Sequence, residues 1–479
     1  MKHLIGKPFV VFAILFAASR ACFYGAGLRF CPDHSISMMH FVDSPLLRGH
    51  LLETLWFLHG QPPLLSVFLA GVFGLGEYDI HRSVVLLHFV FLFAGLVLGW
   101  SWIAVLTRVG LGPRTAVGLA IGFSLLPSCI VFENYLFYTY PVVVLLGLQA
   151  ACIARAVQIP GFWNWSSVFF LAAILALFKN VFHLIWVVGV IAIVWRLSSS
   201  KDRRGVLLAS ILPLVLVTGW YGKNAVVFGR FEASSWMGFG LARKTYHQLG
   251  KEERAALARR VDPIIDVPLF GTVDEFAAVI PMPEPWGVGL LDQKRKFEGS
   301  NNFHHAIYLD VCDRMEEVGW LLIREDPGAY MRNVVETFKK MFEPGSTWWP
   351  ASKALAQAQP YCDAVDTVLH GNWGARGVNF WSILTVLTLL AGGVVTLRLL
   401  LCRSSARPSD MLIASSTFTA SFILVLGLLL DTNETNRHRF LVDGLVVLAA
   451  ILLAWRLRAP DAVESGRCSG QSLPTERTG

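Results

Sequence analysis

Apolar residues in this chain come in blocks separated by short polar turns. Most blocks run for roughly 15–25 residues, the length of a helix that crosses a bilayer. They fall near 8–27, 83–106, 116–131, 141–153, 165–177, 182–195, 206–221, 380–400, 412–430 and 440–455. The pattern predicts an all-α polytopic membrane protein with about ten transmembrane helices. One further apolar run, 62–76, is short for a span and follows His59-Gly60-Gln61-Pro62-Pro63. It suits a re-entrant or juxtamembrane helix. The blocks then stop over 223–373, a polar stretch with helix-like runs at 308–324 and 329–342. Asp326-Pro327 between them is a helix-start pair. Roughly 150 residues make a domain and not a linker.

The organisation that follows is an N-terminal transmembrane catalytic module over 1–222, with a first outer loop at 28–60. An extracytoplasmic α-rich domain occupies 223–373, and C-terminal transmembrane helices occupy 374–456. A polar cytoplasmic tail, expected to be disordered, occupies 457–479.

Composition agrees with this reading. The chain of 479 residues is 54% hydrophobic and only 16% charged, where soluble domains carry about 25%. The net charge of +7 would fit nucleic acid, but the Lys and Arg residues sit in the short turns between blocks. Arg108, Arg114, Arg155, Arg196, Lys201, Arg203, Arg398 and Arg407 mark those turns as cytoplasmic. Lys2 and Lys7 put the N-terminus on the same side, so both termini are expected inside a bacterial inner membrane or plasma membrane. This register holds only if 62–76 does not cross. The first block lacks a small-residue cleavage site and reads as a retained anchor. No internal repeat is visible, which argues against an inverted-repeat transporter. The eight cysteines show no metal-like spacing. Cys31, Cys312 and Cys362 fall outside the cytoplasm in this topology, which leaves room for one disulfide.

With that topology, unusual polar residues converge on the outer face. Asp43 and Glu133 come from two loops, with Asp33 a rival to Asp43. His59 and Gln61 precede the short apolar run, Lys179 and His183 interrupt another block, and Arg437, His438 and Arg439 open the last span. Polar residues at membrane depth are costly, so such a cluster points to function. Carboxylates can deprotonate a hydroxyl or hold a divalent metal, which makes a metal possible without identifying one. Arg and Lys can hold a phosphate and stabilise it as it leaves. Each residue also has a plain structural role open to it. Asp43 precedes Ser44-Pro45 and suits a helix cap. Trp348-Trp349 suits an interfacial belt or a sugar-stacking surface. His304-His305 suits a loop contact better than a metal pair.

Three stretches carry a family resemblance. His59-Gly60-Gln61-Pro62-Pro63-Leu64 follows an acid-led amphipathic run after the first span. Trp220-Tyr221-Gly222-Lys223-Asn224 with Val227-Phe228-Gly229-Arg230-Phe231 is similar to a "W-x-x-R-N…F-G-R-F" stretch. Asn436-Arg437-His438-Arg439-Phe440 with Asp443 is similar to "N-R-[FY]-R…D-P". Together they resemble the GT-C type multi-spanning glycosyltransferases, which include the protein mannosyltransferases and the lipid A aminoarabinose transferases. The resemblance spans most of 1–235 and 420–456. It implies inverting transfer of a sugar from a polyprenyl-phosphate donor to a lipid, glycan or protein acceptor on the extracytoplasmic face. By the same resemblance Asp43 is the acid toward the acceptor, Glu133 a second acid, and Lys179 with Arg437 or Arg439 the donor-phosphate ligands. This sequence departs from the pattern at Ser44-Pro45 and Lys223, which keeps the choice between Asp33 and Asp43 open. A membrane transporter or lipid flippase is the other function class for such a chain.

Overall fold

The computed structural model describes residues 2–32, 38–370, 379–402, 407–432 and 434–458. Asp33 and the tail beyond 458 lie outside the described residues. Among those described, the chain is helical, with no β-strand and only two isolated bridges, Cys31–Tyr135 and Arg295–Asn301.

Helices are numbered here in chain order. The first is α1 (Lys2–Gly25), followed by the short α2 (Ser44–Gly49), α3 (Leu64–Leu75) and the long α4 (Ile80–Arg108). Next come α5 (Pro113–Ser124), α6 (Pro127–Glu133), α7 (Thr139–Gln158), α8 (Phe162–Phe178), α9 (Leu184–Leu197) and α10 (Arg203–Phe228). The polar region supplies α11 (Met237–Lys244), α12 (Ile307–Glu325), α13 (Pro327–Met341) and α14 (Gln359–His370), with a further helix at Lys251–Arg260 and shorter helical turns between. Three helices close the chain: α15 (Phe380–Cys402), α16 (Pro408–Leu430) and α17 (Thr435–Arg458).

Among the described residues, seven helices are long and apolar enough to cross a membrane: α1, α4, α7, α10, α15, α16 and α17. The pair α5–α6 is an eighth only if counted as one span, because it bends by 65°. The bend has a local cause. Leu126 precedes Pro127 and is extended, with ψ 139°, as the proline ring demands of the residue before it. Helices α8 and α9 are apolar but have only 17 and 14 residues. Helix α3 has 12 residues, about 18 Å of helix, too short to cross. On its flanks, Gln61 lines the charged cavity described below and the Tyr78 hydroxyl meets the Leu47 carbonyl at 3.4 Å.

Close helix approach is written into glycine. A Cβ on Gly99 of α4 would sit 1.9 Å from the ring of Phe12, so only glycine lets α1 pack flat on α4. The polar region has its own core, built by Phe239, Tyr246, Ile264, Phe276, Ile307, Tyr308 and Met315. The helix-like runs expected there are α12 and α13. Pro327 opens α13, and the Asp326 side chain caps it by accepting from the Ala329 amide at 2.8 Å. The expected boundary at 222/223 falls inside a helix. Helix α10 carries on through Lys223 and Asn224 because Ala225-Val226-Val227-Phe228 continue it, and it ends at Gly229 with φ +74°. Among the described residues no disulfide joins Cys31, Cys312 or Cys362, so the one left open above is not made.

Candidate functional site

The first outer loop is fixed to the polar domain through the His-Gly-Gln stretch. His59 Nδ1 pairs with the Ser235 hydroxyl at 2.7 Å, and Nε2 meets the His304 carbonyl at 3.0 Å. The Ser234 hydroxyl donates to the Gly60 carbonyl, and the Ser235 amide to the His59 carbonyl. Gly60 is required because the Trp236 indole lies on it; a Cβ there would be 2.5 Å from the ring. His304 in turn stacks on Trp236, and His305 Nδ1 accepts from the Ile307 amide at 3.1 Å. These histidines therefore serve as a buried junction. They do not form a metal pair, and His59 does not reach the cavity described next.

That cavity, about 190 Å³, lies where the loops before α7, between α8 and α9, and between α16 and α17 meet the polar domain. Its wall includes His40, Gln61, Tyr138, Lys179, His183, Arg243, Asp431, Glu434, Arg437 and His438, with Leu426, Leu430 and Phe239 as apolar surface. Five of the residues singled out in the sequence thus come together: Gln61, Lys179, His183, Arg437 and His438.

Arg437 is buried in the first turn of α17. It donates to the Tyr138 hydroxyl and pairs with Glu434 one turn back. Its guanidinium lies 4.9 Å from the rings of Phe137, Tyr138 and Trp348. Trp348 is consequently a buried packing residue against Arg437, neither an interfacial belt nor an open sugar platform. Arg243, from α11, binds Asp431 at 2.9 Å and lies 4.0 Å from Glu434. His438 Nδ1 is 3.3 Å from the other Asp431 oxygen. Lys179 follows the last residue of α8, is 5% exposed, and holds its ammonium 4.1 Å from the Tyr138 ring. Among the described residues no carboxylate pairs with it.

The electrostatics follow from burial and these partners. Burial, and then the nearby Arg437, push the Lys179 ammonium down to about 7. Burial works to raise the Asp431 and Glu434 carboxyls, but Arg243 for the first and Arg437 with Arg243 for the second hold both below the ordinary carboxylate range. Burial and the Lys179 charge keep His40 well below the usual histidine value, hence neutral. The cavity thus carries two ionised acids already engaged by guanidinium groups, plus one surplus cation.

Asp431, Glu434 and His438 each offer one ligand atom within 4.8 Å of one another. This is where a divalent metal would have to sit. Both acids already pair with arginines, and three cations surround them. That balance fits an anion better than a fourth cation.

The remaining expected residues lie elsewhere. Glu133 does not line the cavity. It is fully buried and paired with Arg20 of α1 at 2.7 and 2.8 Å, and it accepts from the Tyr140 hydroxyl at 2.8 Å. Arg439 also faces away. Two residues apart on a helix point about 200° apart, so Arg437 meets the cavity while Arg439 meets Asp443 at 3.3 Å and the face of Trp381. Asp43 is at the cap position of α2 but makes no cap bond. Its Oδ2 accepts from the Phe297 amide at 2.9 Å, and its Oδ1 is buried with no hydrogen-bond partner among the described residues. Burial raises its pKa. Its segment separates two spaces. Met39 and His40 line the charged cavity, while Phe41, Val42, Ser44 and Pro45 line a second one of about 250 Å³.

Sequence reading missed Glu434, Arg20 and Arg243 here. Glu434 precedes Arg437 at helical i−3 spacing, a signal that was present. Arg20 is a charge inside an apolar block, which itself calls for a buried partner. Arg243 carried no signal, because only the tertiary fold brings α11 against Asp431. Compared with family models, curated proteins and solved structures, the chain matches none of them.

Proposed function

We propose that this protein is a membrane glycosyltransferase of the GT-C type, with about ten spans and the polar domain outside the cytoplasm. It moves a sugar, with inversion, from a polyprenyl-phosphate donor to an acceptor hydroxyl. The observation that carries the reading is the surplus buried cation. Lys179 sits with Arg243 and Arg437 in a cavity at the ends of the apolar helices, where leaving an ammonium without an anion is costly. A lipid phosphate supplies that anion. The apolar wall at Leu426 and Leu430 suits the first isoprene units, and Gln61, His183 and His40 offer hydrogen bonds to a sugar.

In this mechanism the acceptor oxygen attacks the anomeric carbon as the bond from that carbon to the phosphate oxygen breaks. The lipid phosphate leaves with the bonding pair, and Lys179 and Arg437 neutralise the developing charge. The acceptor proton goes to Asp43, whose raised pKa and free oxygen suit a base. The second cavity beside Asp43 would receive the acceptor.

The assignment of the base makes a direct prediction. Asp43→Asn loses about 10²–10⁴-fold in transfer, the range for removing a general base, and retains donor binding. Radiolabelled polyprenyl-phosphate sugar supplied to purified protein in lipid vesicles, with membrane extract as acceptor source, measures both. Full turnover by this variant would move the base elsewhere.

Donor binding should also depend on pH with a definite sign. Lys179 is protonated below about 7 and loses its charge above it. A bound phosphate favours the ammonium and raises its pKa, so binding above neutrality takes up a proton. Affinity is expected to be constant below pH 6 and to fall from pH 7 upward. Lys179→Arg keeps its charge throughout and should flatten the profile in a donor-binding titration between pH 6 and 9.

A further inference from the structure

Helix α13 is amphipathic, yet its apolar side is not covered by the protein. Met331, Val335 and Phe338 form a stripe at i, i+4, i+7 and are 53%, 54% and 41% exposed. The side that does pack is a different one, carrying Thr337 and Met341. The helix is placed by bonds at both ends of its length. The Tyr330 hydroxyl donates to the Leu429 carbonyl at 2.9 Å, at the last turn of α16. The Asn379 amide donates to the Phe342 carbonyl at 2.7 Å, at the first residue before α15. Its middle is tied down where the Asn333 amide donates to the Lys244 carbonyl at 3.0 Å. Fifteen residues span about 22 Å, so α13 lies across the ends of two membrane-crossing helices.

Those helices expose apolar side chains at the same level. Val425 and Leu429 on α16, and Phe380 and Ile383 on α15, are all open to the surroundings. The stripe on α13 continues that apolar surface, and charged residues, Arg332 and Lys339, flank it on the side away from the packed face. An apolar face with basic residues at its edge is the pattern of a helix lying in a bilayer interface.

We infer that α13 is an interfacial helix. Its Met331–Val335–Phe338 stripe is seated among the acyl chains of the leaflet on the side of the polar domain, and it anchors that domain beside the charged cavity. The coupling to the cavity is direct. Lys244 donates to the Asp431 carbonyl at 3.1 Å and to Thr337 of α13. This inference does not depend on the transfer reaction; it rests on the spans and on the position of α13 across their ends.

The test uses the full chain in vesicles of phosphatidylcholine that carries a photoactivatable diazirine on its acyl chain. After irradiation, peptides are mapped for lipid adducts. Adducts on the segment 331–338, at a level comparable to those on Val425 and Leu429, are the expected result. Labelling of the α16 residues with none on 331–338 would overturn the inference, whether the stripe is then bare or covered by protein. A second arm replaces Val335 and Phe338 with Ser. Adducts on the segment should fall several-fold while those on α16 persist; unchanged labelling of the segment would mean that its lipid contact does not run through the stripe.

Discussion

Replacing Lys179 with alanine is expected to lower sugar transfer by about 10²–10³-fold, the loss of roughly 3–4 kcal/mol of charge stabilisation at a leaving oxyanion. Stability should change little or rise. The folded protein holds this ammonium in a site that depresses its pKa to about 7 from the ordinary 10.5, so its charged form is destabilised by folding at neutral pH. A residue kept against that cost has work to do in the bound state. The discriminating measurement is transfer alongside thermal unfolding of the same preparation. Lost transfer with an unchanged or higher melting temperature fits a donor ligand. Lost transfer with a lower melting temperature would make Lys179 a packing residue.

The second large effect is on folding. Arg20→Ala strands the Glu133 carboxylate in a site with no exposure, and breaking a buried pair in this way costs about 3–5 kcal/mol. The pair also ties four helices together. Arg20 comes from α1, Glu133 from the end of α6, and Tyr140 from α7, and Arg20 reaches the Ser124 carbonyl at 3.0 Å at the end of α5. Loss of the guanidinium should therefore loosen the bent α5–α6 pair. Replacing both charges with apolar residues of similar size, Arg20→Met with Glu133→Leu, should restore most of the stability. The doubly substituted protein should then retain transfer, because Glu133 faces Arg20 and not the charged cavity. Thermal unfolding in detergent checks the first part and the transfer assay the second. An inactive but stable double variant would return Glu133 to the reaction.

Which parts of the fold were legible in the sequence depends on the physics behind each. Long apolar blocks announce membrane helices because a bilayer imposes a length, so the all-helical architecture and the seven long apolar helices were readable. The bend at Leu126-Pro127 was not anticipated, although the proline that causes it was in view. The count of spans is less direct, since α8 and α9 are apolar but short, and only their placement in the bundle can say whether they cross. The site was half legible. Lys179 and Arg437 stood out as charges beside apolar blocks and do share a cavity. Arg439 stood out for the same reason and does not, because two steps along a helix turn a side chain to the opposite face. Glu133 was read as a free acid when its partner lay hidden in the first apolar block. Arg243 illustrates what no local pattern conveys: its role depends on α11 meeting the loop after α16.

One measurement tests most directly whether the charged cavity is the centre of a transfer reaction. Purified protein in lipid vesicles is given a radiolabelled polyprenyl-phosphate sugar and an acceptor fraction, and the label is followed into product and across the bilayer. The unaltered protein should give a labelled product, and Lys179→Ala or Arg437→Ala almost none. Movement of the intact labelled donor across the bilayer with no product formed would contradict this expectation, and would mark the protein as a lipid transporter.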